Sequence, residues 1–345
     1  MQIRRSDIEA TIVMIIIGAI AGAIYVRIAY LSRPDAIGTV LLGAGLGGLI
    51  GGGIAFFETV FFAKPYSRIR RLPFLASVAV RIFVHANIVL GSRIVAQTVY
   101  TATSGNEIKL IGGAQRDSLV DTGFTVFLIV IFVFFFQMRN FIGGRTLSNL
   151  LLGRYSKPKV EDRIFMILDL VGSTKLAQKI GDVAFHEYLN AVFVLVDDAI
   201  ASSGGEVHSY VGDSIFVTWR YTKDPKKNAR ALDAFVKINE AMSEHAAKIE
   251  AKYGERPDIR LAFHKGRIVA GETGFRKRQI TYLGNTVNLV SRIESLTKTG
   301  IGHYLASNEY LEACEIPSNV SVTPLGAYEL KGSQSPMPVS RLEVS

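Results

Sequence analysis

The chain has 345 residues, enough for two or three domains, and 49% of them are hydrophobic, a high share for a protein wholly in water. Its formal charge of +9 is uneven: residues 1–158 carry 16 Lys and Arg against 7 Asp and Glu, whereas 159–345 carry 23 of each. A basic excess confined to the apolar half reflects membrane topology rather than a nucleic-acid partner, and the single cysteine, Cys314, excludes an intrachain disulfide and suits a reducing compartment.

Four apolar stretches, near 11–31, 38–63, 73–100 and 119–137, reach the roughly 20 residues that a helix needs to cross a bilayer. Three more runs follow the first, so it reads as a retained anchor and not as a removed signal peptide. Arg4 and Arg5 precede the first run; Lys64, Arg68, Arg70 and Arg71 fill the second loop; Arg139, Arg145, Arg154, Lys157 and Lys159 follow the fourth. The positive-inside rule then predicts a multi-pass protein of the cell membrane with both termini and the second half in the cytoplasm. In the second run Gly43, Gly47 and Gly51 repeat every four residues, a smooth face on which another helix can pack closely, either within the chain or between two chains. No Lys-Ser/Thr follows these glycines, so they are not a phosphate loop. Charges inside the runs need partners: Glu58 and Arg81 fall at similar depth and are expected to pair, and Asp121 could meet Arg27 or Arg93. A haem at His85 would lack a second histidine within this half.

Residues 139–159 read as a basic linker between a membrane domain (1–138) and a second domain (160–345). The pattern then alternates. Residues 163–168 are strand-like, 173–201 largely helical, and 206–219 alternates on both sides of Gly212-Asp213 as a hairpin does. Helices are expected over 226–252 and 286–297, with a strand at 259–266, which predicts a sandwich of helices on a largely antiparallel sheet. The segment "DRIFMILDLVGST" (162–174) ends a buried strand on Asp169 and opens a helix. Asp213 sits at the tip of the hairpin, and two adjacent central strands would bring both carboxylates together. Nothing basic lies beside either in sequence, so such a pair calls for divalent cations of the hard, oxygen-binding kind. Gly172, Ser173 and Thr174, at the helix start, offer free N–H groups to a phosphate chain.

"FMILDLVGSTKLA", "YVGDSIFVTW" and "ITYLGNTVNLVSRIES" resemble three segments of the class III adenylate/guanylate cyclases, in that family's order and spacing. The resemblance covers roughly 160–340 and implies an α+β, ferredoxin-like nucleotidyl cyclase domain behind the four-helix membrane domain. It also implies that Asp169, Asp213 and the carbonyl of Leu170 bind two Mg²⁺ or Mn²⁺ ions per site. Asn288 matches the asparagine that positions the ribose, Arg292 the arginine that stabilises the transferring phosphate, and Arg260 and Lys331 the triphosphate-binding positions. The implied activity is that of an adenylate cyclase in intracellular signalling, making cyclic AMP from ATP as a homodimer whose sites lie across the interface. At the base-reading positions the chain departs from the common pattern: Ser209 stands where many adenylate cyclases have Lys, and Thr281 where many have Asp. The Glu of a guanylate cyclase is absent too, so ATP is the expected substrate.

The alternatives are a guanylate cyclase, a non-catalytic nucleotide-binding or dimerisation module, and a four-helix transporter with a regulatory domain. No residue of the membrane half names a signal or ligand that it senses. His264, Trp219 and Phe263 are expected in the core, Asp197 and Asp198 on a solvated helix face, and "RKRQ" (276–279) in a solvated hairpin loop. "GGE" (204–206) resembles a diguanylate cyclase motif, but His208 stands where that motif needs Phe.

Overall fold

The computed structural model describes residues 5–29, 36–62, 72–104 and 115–345, and the chain divides into two units, Met1–Leu147 and Ser148–Ser345. The basic residues expected to set topology at Arg4, Lys64, Arg68, Arg70 and Arg71 lie outside the described residues, as do the side chains of Asp121 and Arg139.

The first unit holds α1 (Arg5–Ala29), α2 (Ala36–Phe56) continued by a π-helical turn (Phe57–Phe62), α3 (Phe74–Ser104) and α4 (Gln115–Ile142). Among the described residues three helices are long and apolar enough to cross a membrane, over Thr11–Ile28, Val40–Phe62 and Phe74–Val99. Of the fourth expected span, the described apolar stretch is Thr125–Met138, within α4. The glycine face of α2 packs within the chain, against a matching face of α1 that includes Gly18 and Gly22. A Cβ on Gly47 would strike the backbone of Gly18, and one on Gly43 would sit 2.7 Å from the carbonyl of Gly22. Glu58 and Arg81 form the expected buried ion pair, with His85 Nε2 3.4 Å from the same carboxylate. The Arg81 guanidinium also lies 4.4 Å over the Phe62 ring. Arg93 donates to Thr125 Oγ1 at 3.0 Å.

In the second unit β1 (Lys159–Leu170) leads through α6 (Ser173–Ile180) and α7 (Asp182–Ser202) to the hairpin of β2 (Glu206–Val211) and β3 (Ser214–Arg220). A turn, α8 (Pro225–Asn228), and a long helix, α9 (Arg230–Tyr253), return the chain to β4 (Ile259–Thr273). This β-α-β-β-α-β core has the spatial order β2-β3-β1-β4 with antiparallel neighbours, the ferredoxin-like arrangement. Beyond it, β5 (Gln279–Leu283) pairs with β4, and α10 (Asn285–Thr297) follows. β6 (Tyr304–Ser307), α11 (Asn308–Leu311), β7 (Val320–Tyr328) and β8 (Met337–Val344) complete an eight-stranded sheet in which only β4 and β6 run parallel. The largely helical stretch expected over 173–201 is α6 and α7, divided at Gly181, φ 82°. The helix α5 (Gly144–Leu151) precedes β1 within the segment read as a linker.

β1 is buried on both faces from Arg163 to Leu170, which is why its sequence runs nearly continuous in apolar residues. Ile164, Met166, Leu168 and Leu170 face α7 and α9. Phe165 and Ile167 face the opposite core with Leu289, Val290 and Ile293 of α10. By the two-residue alternation of a strand, Arg163 and Asp169 share that second face. His264, Trp219 and Phe263 are buried and Asp197 and Asp198 exposed, as expected.

Candidate active site

Asp169 is the last residue but one of β1 and is almost wholly buried. Its register partners are Ser214 on β3 and Arg260 on β4, so Asp213, in the turn at Gly212, lies one residue from the position paired with Asp169. Gly212 has φ +62°, a left-handed conformation that a side chain would strain. Ser214 Oγ donates to Asp169 Oδ1 at 2.7 Å. Leu170 closes the strand, and Gly172, also left-handed at φ +71°, caps α6 without a side-chain hydrogen bond. The first N–H groups of α6, at Ser173 and Thr174, therefore point out of the helix beside the aspartate.

Two neighbours of Asp169 escaped the sequence reading. Lys298, the C-cap residue of α10, places Nζ 3.3 Å from Asp169 Oδ2 and 2.9 Å from Glu294 Oε1. The absence of a base beside Asp169 thus holds in sequence and fails in space, since Arg260 faces it across the sheet and Lys298 reaches it from α10. Burial pushes the Glu294 carboxyl up, with the charge of Asp169 adding to it. For Lys298 burial pulls down, but Glu294 and Asp169 outweigh it and raise the ammonium. The i, i+4 spacing of Glu294 and Lys298 was readable as a helix pair; its contact with a strand end far away in sequence was not.

Asn288 and Arg292 occupy another side of α10, with Asn288 exposed and Arg292 half-buried. Arg292 lies against the loop that carries Lys331: a Cβ on Gly332 would sit 2.7 Å from its Nη1, so only glycine, here at φ +87°, leaves room. Asn285 Nδ2 fastens the same loop by donating to Gly332 O at 2.6 Å. Arg292 makes no ion pair with Asp169 or Asp213 among the described residues. Buried N–H groups of Arg260 (Nε) and Arg292 (Nη1) have no acceptor, a costly state that an anionic ligand would relieve. Ser209 lies on β2 and Thr281 on β5, and the rings of His208 and Tyr282, their neighbours in sequence, are 4.6 Å apart. The Thr281 hydroxyl is engaged with Thr273 Oγ1 at 2.7 Å and with Gly271 O at 3.3 Å.

Asp169, Asp213 and the Leu170 carbonyl would offer oxygen ligands, the kind a hard divalent cation takes, and among the described residues no group of three or more His, Cys, Asp or Glu side chains is placed to hold a metal by itself. Water and phosphate oxygens would complete the shell, as is usual for Mg²⁺. The Lys298 ammonium at Oδ2 shows that the carboxylate already attracts positive charge.

A family model described as "Adenylate and Guanylate cyclase catalytic domain" matches residues 156–340. Adenylate cyclase 2 of Rhizobium meliloti (strain 1021) is 32% identical over 308 residues, which cover 84% of this chain and 81% of that one. The adenylate cyclase of Anabaena cylindrica is 25% identical over 162 residues, 46% of this chain and 32% of that one. The solved structure of a bacterial light-regulated adenylyl cyclase superposes with a TM-score of 0.55 at 18% identity, covering 66% of each chain, a likeness of fold.

Proposed function

Because the chain belongs to the class III adenylate/guanylate cyclase family, we propose that it is a membrane-bound adenylate cyclase that converts ATP to 3′,5′-cyclic AMP and pyrophosphate. In the reaction the ribose 3′-oxygen forms a bond to the α-phosphorus, the bond from that phosphorus to the β-phosphate bridge breaks, and the hydroxyl proton is lost. Two Mg²⁺ or Mn²⁺ ions, held by Asp169, Asp213 and the Leu170 carbonyl, would acidify the hydroxyl and draw charge onto the leaving pyrophosphate. Asn288 orients the ribose, and Arg292 sets positive charge where the transferring phosphate gains negative charge. Arg260, Lys331 and the N-terminus of α6, at Gly172, Ser173 and Thr174, bind the triphosphate. Ser209 and Thr281 face the base. The catalytic unit lies on the cytoplasmic side of four membrane helices, α4 being the shortest in its apolar part.

The observation that carries this reading is the split of the machinery within one chain. The carboxylates gather at the β1 and β3 ends, whereas Arg292 lies with the Lys331 loop on another side of α10. A second copy is what would bring the two sets together, so the active species is a homodimer.

Full-length protein in membranes, supplied with ATP or GTP and Mg²⁺ or Mn²⁺, should make cyclic AMP with a higher kcat/KM than cyclic GMP. Asp169→Asn and Asp213→Asn should each remove nearly all turnover, because an amide cannot neutralise a divalent cation. Retention of more than about a tenth of the activity, a loss under roughly 1.4 kcal/mol, would refute the metal assignment. A higher kcat/KM for GTP would make the chain a guanylate cyclase, and no product from a folded dimer would make it a binding module.

A further inference from the structure

Each carboxylate oxygen of Asp169 has a partner within the chain. Its Oδ1 accepts from Ser214 Oγ at 2.7 Å, and its Oδ2 lies 3.3 Å from Lys298 Nζ. The side chains of Asp169 and Glu294 are 7% and 9% exposed, so two nearly buried carboxylates share one half-exposed ammonium. Arg260, the other cation on this face, makes no ion pair with Asp169 within 4 Å, and its Nε is buried without a partner.

We propose that Lys298 is an internal counter-cation of the metal site, which neutralises Asp169 and Glu294 while no divalent ion is bound and swings off Asp169 when one binds. The inference rests on the two-metal reading above. A cation coordinated to Oδ2 at about 2.1 Å cannot share that oxygen with an ammonium without strong repulsion between like charges. The geometry also supplies the route of exchange. Lys298 grips Glu294 at 2.9 Å, within the range of a strong charge-assisted hydrogen bond, but Asp169 only at 3.3 Å. It can therefore release Asp169 and stay tethered to Glu294, one helical turn away on α10. Lys298 is thus a positioning residue. It holds the empty carboxylate in place against its charged and apolar surroundings, and the metal must displace it.

The test is a titration of the full-length protein in detergent with Mn²⁺, in the absence of nucleotide, with free Mn²⁺ read by electron paramagnetic resonance. Lys298→Gln should bind Mn²⁺ roughly two- to fivefold more tightly than wild type, the range expected for removing one partly exposed competing ion pair. Lys298→Arg, which keeps the charge, should stay closer to wild type, and Asp169→Asn should bind much more weakly. Thermal unfolding supplies the second readout. Lys298→Gln should melt below wild type in EDTA and regain the difference in saturating Mn²⁺. Equal or weaker Mn²⁺ binding by Lys298→Gln would overturn the exchange while leaving the metal reading intact. So would a melting deficit of the same size with and without Mn²⁺, the mark of a helix salt bridge alone. Absence of Mn²⁺ binding in wild type would overturn both readings.

Discussion

Tyr155→Phe tests how the segment before β1 is fixed to the catalytic sheet. Arg163 is 1% exposed and is the largest fully buried side chain among the described residues. Nη2 donates to the Tyr155 hydroxyl at 2.8 Å and to Glu161 Oε2 at 2.9 Å, and Nε donates to the same carboxylate oxygen at 3.1 Å. The Tyr282 ring covers it at 4.9 Å, while Nη1 is buried with no hydrogen-bond acceptor. Phenylalanine keeps the buried ring, so no apolar area is lost. It removes one acceptor from a buried cation and one donor from Glu161. A hydrogen bond to a charged group contributes about 1.5–3 kcal/mol, and Arg154 and Arg220, at 3.6 and 3.8 Å from Glu161, soften the loss on the carboxylate side. The expected cost is about 2 kcal/mol, or roughly 4–8 °C in Tm for a domain of this size. Urea unfolding of the unit Ser148–Ser345 measures it, with the slope against denaturant unchanged. A loss under about 0.5 kcal/mol would show that Arg163 finds an acceptor elsewhere, and the network would not be the anchor of this segment.

Burial holds His264 neutral down to about pH 4, with Ser307 Oγ 2.8 Å from its Nδ1. The unfolded chain binds this proton near pH 6.5, so stability should fall as pH drops from about 6.5 to 4, by about 3 kcal/mol at the foot; His264→Gln should flatten that limb in a plot of urea midpoint against pH. Asp169→Ala and Arg292→Ala, each nearly inactive alone, should recover roughly a quarter of wild-type activity when co-expressed, since half of randomly paired dimers are mixed and each has one intact site. Mixed dimers that form and stay inactive would mean that each site is built within one chain.

Most of the second unit was legible in the sequence because its signals are local. The apolar run before Asp169 and the alternation on either side of Gly212-Asp213 each specify an element from a few consecutive residues, whereas the pairing of β1 with β3 joins segments far apart in sequence. The pair Glu58 and Arg81 was legible for a different reason, since uncompensated charges inside apolar helices leave few partners. What escaped depends on packing between distant segments. Lys298 and Glu294 look like an ordinary surface pair until α10 is laid on β1. Gly18 and Gly22 do not announce themselves until α1 meets the glycine face of α2. The Thr281 hydroxyl also makes a contact with Thr273 that forms only once β5 is laid on β4.

On the proposed shared-site reading, α10 is the element that would make one copy of this sequence half a site. At 100° and 1.5 Å per residue, Arg292 and Lys298 stand roughly 120° apart around the axis and about 9 Å apart along it. Lys298 points at Asp169 of its own chain, together with Glu294 on the same stripe. Leu289, Val290 and Ile293 fix the rotation of the helix by burying a third stripe against Phe165 and Ile167. With that face committed to the core, no turn of the helix can bring Arg292 to Asp169 without exposing the three apolar side chains, at about 1.5–3 kcal/mol each. Arg292 is therefore held beside Gly332, in the loop of Lys331, and away from the Asp169 of its own chain. On the proposed reading the same helix would serve two sites at once, contributing a counter-cation to the metal site of its own chain and an arginine to that of a second copy.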